Sequence, residues 1–167
     1  MSPVRPDLVD CWIFRVPADR EPEILLIRRA PGRILPGLWQ CVSGSIEAGE
    51  RVAAAALREV EEETGFGPLA IEAFYDLDLV NQFHEPSVDA ILLSAVFAVR
   101  VPPDREPTLS HEHDGVRWLA FDAATSASVW PGYREAIARI RENLFDPERA
   151  PWFELDLDGR RAIDFEP

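Results

Sequence analysis

The chain has 167 residues, an apolar fraction of 47% and a formal net charge of −13 at pH 7. This length suits one domain with a core of its own, and the apolar content excludes a disordered chain. The negative charge argues against a polynucleotide or an anionic membrane surface as a partner, but it permits a small phosphorylated ligand where metal ions supply positive charge.

The two cysteines, Cys11 and Cys41, do not form a CxxC pair. We expect both to be buried as small apolar side chains in a reducing compartment. The N-terminal sequence MSPVRPDLVDCWIF contains no long apolar run with a cleavage site and therefore predicts no signal peptide. The longest apolar run, at 90–99, is too short to span a bilayer. A cytoplasmic protein without membrane contacts is expected.

The first half of the chain predicts two strands, a loop and a helix. Strands are expected at Val9–Val16 and Glu23–Arg29, separated by the turn-forming segment PADREP. The loop APGRILPGLWQ leads into a short strand at Trp39–Val42. A helix follows at about Ala48–Thr64, with Gly65 as its C-cap.

The second half predicts a mixed pattern of strands and one more helix. Long strands at Phe74–Phe83 and Ala90–Val101 are expected to pair, and a further strand is expected at Val116–Phe121. The segment Pro131–Leu144 has a helical period with Pro at its start. The tail FELDLDGRRAIDF predicts two short strands about an Asp158-Gly159 turn. This order favours an α/β/α architecture, in which a mixed β-sheet lies between helices.

The predicted first helix crowds carboxylates on one side. At 100° per residue, Glu59, Glu62 and Glu63 share a face about 100° wide, whereas Glu61 points away. Like charges at this spacing repel, and a hard divalent cation with oxygen ligands would reverse that repulsion. A solvated acidic helix is the alternative. The adjoining apolar face consists of Ala53, Ala56, Leu57 and Val60.

The stretch GSIEAGERVAAAALREVEEETGF, residues 44–66, resembles the Nudix box of the Nudix hydrolase superfamily at every defining position. The matching identities are Gly44, Glu50, Arg58, Glu59, Glu62, Glu63 and Gly65, with Val60 and Phe66 at the two aliphatic-type positions. The resemblance implies a Nudix fold and one Nudix hydrolase domain over residues 1–167. The core of this domain would lie at about 8–145 and a C-terminal extension at 146–167.

The resemblance also implies the cofactor and the reaction. Nudix enzymes hold Mg²⁺, or Mn²⁺ in its place, against a diphosphate and hydrolyse a nucleoside diphosphate linked to another group. The implied metal ligands are the Gly44 carbonyl, Glu59, Glu62 and Glu63, while Glu50 and Arg58 orient and neutralise the cluster. The general base is either a box glutamate such as Glu59 or a residue on a later loop.

Segments outside the box resemble the bacterial branch that hydrolyses dihydroneopterin triphosphate or dATP. These segments are LWQCVSGSIEAGE, HEHDGVRWLAF and VWPGYREAI. By this match Glu112 is a fourth carboxylate that binds metal or serves as the base; an exposed loop acid is the alternative. His111 and His113 are candidates for phosphate binding or proton transfer, although surface histidines without such a role are the favoured interpretation.

A small phosphorylated substrate, most simply a nucleotide, is the expected partner, and a homodimer is compatible with the sequence. Arg28 and Arg29 are candidates for phosphate contacts, against the alternative of solvated charges. Aromatic side chains are candidates for stacking on a ring of the substrate, and core packing is the favoured interpretation for any one of them. Trp39 is the best candidate for stacking because it borders the box. The full set is Trp39, Phe83, His84, Trp130 and Tyr133.

Three other functions remain open at this point. The first is a dinucleoside polyphosphate or RNA-end pyrophosphohydrolase, which the charge of −13 disfavours for RNA. The second is a non-catalytic ligand sensor of the Nudix type, which the intact box disfavours. The third is a hydrolase of oxidised nucleoside triphosphates, which only a comparison of substrates separates from a hydrolase of dihydroneopterin triphosphate or dATP.

Overall fold

A computed structural model describes residues 3–163, and mixed strands and helices make up this part of the chain. The strands are β1 (Leu8–Arg15), β2 (Glu23–Arg29), β3 (Trp39–Gln40), β4 (Val42–Ser45), β5 (Ala73–Glu85), β6 (Ala90–Arg100), β7 (His113–Ala120) and β8 (Glu154–Leu155). The helices are α1 (Val52–Thr64), α2 (Phe121–Ala127), α3 (Pro131–Arg139) and α4 (Ala150–Phe153). A short 3₁₀ turn (Pro68–Ala70) precedes β5, and a π-helical turn (Ile140–Leu144) extends α3.

The strands form one mixed sheet in the order β3-β2-β1-β6-β5-β8, with β4 also paired to β1 and β7 to β2. β1 lies at the centre, parallel to β6 and antiparallel to β2 and β4. The predicted pairing of the two long strands is confirmed, because β5 and β6 form an antiparallel hairpin with a bulge between Asp76 and Leu79. The pairing of β4 with β1 places β4, which leads into α1, beside the central strand.

Two hydrophobic cores lie on opposite faces of the sheet, as the alternation of β1 requires. Val9 and Ile13 belong to the core that packs against α1, whereas Trp12 and Phe14 belong to the core beneath α2 and α3. Helices therefore cover both faces, and the predicted α/β/α fold is confirmed. The two cysteines are buried and free, one in each core, as expected. Within residues 3–163, no helix is long and apolar enough to cross a membrane.

Two predicted boundaries in the first half are wrong. The helix begins at Val52 rather than Ala48, because residues 47–50 form a turn in which Gly49 has a φ of +78°. The Glu50 backbone N–H donates to the Glu47 carbonyl in that turn. The predicted strand Trp39–Val42 is two strands, since β3 pairs with β2 and β4 pairs with β1. Gly65 ends α1 with a φ of +73°, as predicted.

The second half contains two helices that the sequence did not indicate, α2 and α4. Both helices are short. Because α2 follows β7 without a loop, the strand expected at Val116–Phe121 ends at Ala120. This strand also starts earlier than expected, at His113. The tail forms β8 and an isolated bridge between Leu155 and Arg161 around the turn at Gly159. The last residues of the predicted tail hairpin lie outside the described part of the chain.

Candidate active site

The carboxylate of Glu59 lies against the backbone of β4. A Cβ atom added to Gly44 would lie 2.0 Å from the Glu59 carboxyl carbon and 2.1 Å from its Oε1, so any larger residue at this position would displace the Glu59 carboxylate. α1 has the predicted rotation, because Val60 is fully buried against the sheet and Glu61 is exposed. Sheet and helix together therefore bring the Gly44 backbone and the Glu59 carboxylate into contact.

Arg58 binds several carboxylates at once. Its Nε and Nη2 donate to the two oxygens of Glu50 at 2.8 and 3.0 Å, and Nη1 donates to Glu59 at 2.8 Å and to Glu62 at 3.2 Å. Nη2 also donates to the carbonyl of Ser45. These bonds hold the pKa of Glu50 below its ordinary value. One guanidinium thus orients the acidic face of α1, as the box resemblance implies.

Glu63 is the buried member of the acidic face. Only 6% of its side chain is exposed, and burial, with added repulsion from Glu59 and Glu112, raises its pKa to about 8. Within residues 3–163, its Oε2 atom is buried without a hydrogen-bond partner. Buried carboxylate oxygens are normally hydrogen-bonded or bound to a cation, so this oxygen indicates a missing partner.

Glu112 is brought to the acidic face by the loop between β6 and β7. The backbone N–H groups of Thr108 and Ser110 donate to the carbonyls of Thr64 and Glu63, which fastens this loop to the end of α1. The carboxylate of Glu112 is close enough to Glu59 and Glu63 to raise the pKa values of both.

Arg33, in the loop after β2, pairs with Glu112 at 2.8 Å. The Ala30 backbone N–H of the same loop donates to the Glu112 carbonyl. Glu112 is therefore held beside the cluster from the side of β2 as well as from α1, and its role as a metal ligand or base remains a prediction.

The residues present fit a hard divalent cation, although no three His, Cys, Asp or Glu side chains within residues 3–163 already surround a common ion position. One oxygen of Glu59 and one of Glu62 are bound to Arg58, and one oxygen of Glu112 is bound to Arg33. The fit rests on the unpartnered oxygen of Glu63, the close contact at Gly44, and a donor set made of oxygens.

The predicted substrate-binding residues lie in two different environments. Trp39 is half-buried, and the Arg117 guanidinium covers its ring at 4.2 Å, with that of Arg28 at 5.6 Å. Arg28 also forms an ion pair with Asp114 at 2.7 Å. The sequence did not single out Arg117, which meets Trp39 only through the pairing of β7 and β3 with β2.

Tyr133 and Arg29 are less accessible than the sequence suggested. Tyr133 is buried, and its ring packs edge-on against Trp12 at 5.2 Å, which favours core packing over stacking on substrate. Arg29 donates to the Ile34 carbonyl and, through Nη1, to Gln40 at 3.3 Å. Arg29 therefore braces the loop after β2 rather than extending into solvent.

The remaining candidates divide by exposure. Phe83, Trp130 and His84 are exposed, and His84 pairs with Asp89. His111 is exposed and lies 3.0 Å from Arg33. In contrast, His113 is buried, so the favoured interpretation of a surface histidine is wrong for this residue.

Comparison with known proteins places this arrangement in a family. The NUDIX domain family model matches residues 7–140. The chain belongs to the Nudix family and is a Nudix hydrolase. It is 29% identical over 127 residues to the dihydroneopterin triphosphate diphosphatase of Escherichia coli K12. These residues cover 70% of this chain and 81% of that protein.

Other relatives extend the comparison. An octanoyltransferase of Myxococcus xanthus is 40% identical over 122 residues, but these cover 71% of this chain and only 32% of that protein, about a third of its length. The structure of the E. coli dihydroneopterin triphosphate pyrophosphohydrolase matches with a TM-score of 0.64 and 26% identity, over 78% of this chain and 92% of that one. A C. elegans Ap4A hydrolase matches with a TM-score of 0.69 over 82% of this chain and 96% of that one; at 18% identity this likeness shows the fold alone.

Proposed function

We propose that this Nudix hydrolase is a Mg²⁺-dependent pyrophosphohydrolase that cleaves the diphosphate bridge of a nucleoside triphosphate or a related compound such as dihydroneopterin triphosphate. The observation that carries the proposal is the acidic face of α1, on which Glu59 touches the Gly44 backbone and Glu63 keeps a buried oxygen without a partner. Such oxygens are the ligands that Mg²⁺ takes together with substrate phosphates, and Mn²⁺ would serve in its place.

The residues that would hold the cation are the Gly44 carbonyl, Glu59, Glu62, Glu63 and Glu112. A bound divalent cation would polarise the phosphoryl oxygens, neutralise the leaving phosphate and lower the pKa of the attacking water. The protein's own contribution is to keep this set of oxygens together.

Arg58 performs that task. Its two bonds to Glu50 anchor the guanidinium, and its third nitrogen contact holds Glu59 in the direction of Gly44. This pairing opposes the effect of burial, which raises the pKa of Glu59. Arg58 therefore favours the ionised carboxylate, which is the form that binds a cation.

Hydrolysis also needs an acceptor for the proton of the attacking water. Glu112 lies at the open side of the cluster, where 42% of its side chain is exposed, and Arg33 orients it. It would either take this proton while the P–O–P bridge breaks or add one more oxygen to the cation site. If Glu112 is a ligand, the base is Glu59 or another glutamate of the box.

Two observations support the substrate class: the similarity to a dihydroneopterin triphosphate diphosphatase, and the surface formed by Trp39, Arg28 and Arg117. The chain is 29% identical to a dihydroneopterin triphosphate diphosphatase over most of both chains. A flat ring could contact Trp39, with phosphates reached by Arg28 and Arg117, whose guanidinium groups lie beside that ring. A homodimer and the absence of a polynucleotide substrate remain predictions.

A substrate panel tests the proposal. The purified chain is offered dihydroneopterin triphosphate, dATP, oxidised nucleoside triphosphates, dinucleoside polyphosphates and 5′-triphosphorylated RNA, with Mg²⁺ or with EDTA, and pyrophosphate and phosphate are measured separately. We expect pyrophosphate release from dihydroneopterin triphosphate and dATP with Mg²⁺ and no release with EDTA. Turnover in EDTA, or turnover only of RNA ends or dinucleoside polyphosphates, would overturn the proposed function.

A further inference from the structure

His113 lies directly behind Glu63 in the protein interior. It is the first residue of β7, it pairs with Arg29 of β2, and only 1% of its side chain is exposed. Its Nε2 atom is 3.3 Å from the side-chain nitrogen of Gln40 and 3.9 Å from the unpartnered Oε2 of Glu63. The ring thus stands between a buried amide and the buried carboxylate.

The hydrogen bonds of Gln40 decide which tautomer the ring adopts. The Gln40 carbonyl oxygen accepts from Arg29, so the amide nitrogen of Gln40 faces His113 and acts as the donor. The Nε2 atom of His113 then accepts, which puts the ring proton on Nδ1. In this arrangement Nδ1 and the Oε2 atom of Glu63 are both buried without a partner in the described part of the chain.

The other neutral tautomer gives Oε2 of Glu63 a donor, and the Gln40 amide then gives up its bond to Nε2. With its proton on Nε2, the ring faces Oε2 of Glu63 with a donor, and the gap of 3.9 Å closes to a hydrogen bond with a movement of about 1 Å. Catalytic hydrogen bonds are often long without ligand and shorten when the site is filled. An ionised Glu63 that binds a cation needs such a donor on its second oxygen.

We propose that His113 is a positioning residue, which donates from Nε2 to Glu63 and so fixes the carboxylate for a divalent cation, in exchange for the bond that Nε2 accepts from Gln40. This inference rests on the proposed function, because it assigns Glu63 as a cation ligand. Residues that orient metal-binding side chains in this way typically contribute about 10- to 100-fold in metal affinity.

The first test measures Mn²⁺ binding by calorimetry or electron paramagnetic resonance without substrate. His113→Leu, which has no donor, should raise the Kd for Mn²⁺ by about 10- to 100-fold, while His113→Gln, which keeps an N–H at a similar distance, should stay within about threefold of the wild type. Glu61→Gln, on the exposed side of α1, is the matched control and should bind Mn²⁺ like the wild type.

Two further readouts separate positioning from mere packing. The melting temperature of metal-free His113→Leu should change little, since the substitution removes the unpartnered Nδ1 atom but leaves the Gln40 amide without its acceptor. In ¹⁵N-histidine-labelled wild type, the Nε2 signal assigned by its loss in His113→Gln should move from the range of a bare ring nitrogen to that of a protonated one when Mg²⁺ is added.

Unchanged Mn²⁺ affinity in His113→Leu, or an Nε2 signal that does not move at saturating Mg²⁺, would overturn the inference and leave the proposed function standing. Mn²⁺ affinity that is equal in wild type and Glu63→Gln would overturn the cation site and this inference with it. If His113→Leu does not fold, the comparison of wild type with His113→Gln and the ¹⁵N experiment still decide the matter.

Discussion

Replacing Glu63 with glutamine should stabilise the cation-free protein at pH 8. Burial raises the pKa of this carboxyl from an ordinary value of 4.5 to about 8. Between these values the folded chain keeps a proton that the unfolded chain has lost, so stability falls as pH rises. Each pH unit costs about 1.4 kcal/mol, and the whole interval costs at most about 4–5 kcal/mol. Glutamine, which carries no charge, escapes this cost.

Urea unfolding in EDTA at pH 5, 6, 7 and 8 measures the effect. The free energy of unfolding of Glu63→Gln minus that of the wild type should be small at pH 5 and should increase steadily to pH 8. Glu61→Gln serves as the control, because it is the same substitution at an exposed position of the same helix. A difference for Glu63→Gln that is constant over this range, or that becomes destabilising at pH 8, would refute the assignment of a buried and repelled carboxylate.

Adding Mn²⁺ should reverse the order of the two proteins at pH 8. A ligand that binds only the folded state adds about 2.7 kcal/mol at a hundredfold excess over its Kd, and release of the repulsion around Glu63 adds to the gain in the wild type. Glu63→Gln lacks one proposed ligand and should gain much less. The same substitution should therefore stabilise the empty protein and abolish most turnover, which is a common trade between stability and activity.

Three more predictions concern the remaining members of the site. Glu62→Gln should lose most activity with little change in unfolding free energy, whereas Glu61→Gln should keep near-normal kcat; equal losses would show that the helix phase is misassigned. Gly44→Ala should lower kcat by about 10²-fold or more with a near-native circular dichroism spectrum, because its Cβ would displace Glu59 from a position 2.0 Å away; wild-type kcat would contradict this. Glu112→Gln should raise the Mg²⁺ concentration for half-maximal rate if Glu112 is a ligand, or lower kcat by about 10²–10⁴-fold at every Mg²⁺ level if it is the base; neither change would make it an ordinary surface acid.

The sequence predicted those parts of the fold that depend on local periodicity. The phase of α1 follows from the spacing of Ala53, Ala56 and Val60, which are buried on the face where a 3.6-residue repeat puts them. The long hairpin of β5 and β6 follows from two β-rich segments joined by a short turn. The start of α1 was misplaced because Ala48 and Glu50 are good helix formers, and only the positive φ of Gly49 ends the preceding turn.

The burial of the site could not be predicted from the sequence because it depends on contacts between distant segments. Glu63 is enclosed by the loop that carries Ser110, more than forty residues further along the chain. His113 turns inward because β7 shifts register beside Arg29 of β2. No local pattern distinguishes this buried histidine from the exposed His111 two residues before it.

Arg58 explains how the acidic face of α1 remains stable without a cation. Its guanidinium reaches three carboxylates at once, and the number and length of the hydrogen bonds differ among them. Glu50 receives two bonds at 2.8 and 3.0 Å and has a depressed pKa, whereas Glu62 receives one at 3.2 Å and is 59% exposed in its side chain. A cation at the proposed site would therefore displace the contact to Glu62 at the lowest cost, while Glu50 continues to anchor the arginine. Because one arginine offsets much of the repulsion in the empty site, the cation gains less from relieving it, and the affinity must come from the oxygens that Arg58 does not bind, first among them the buried Oε2 of Glu63.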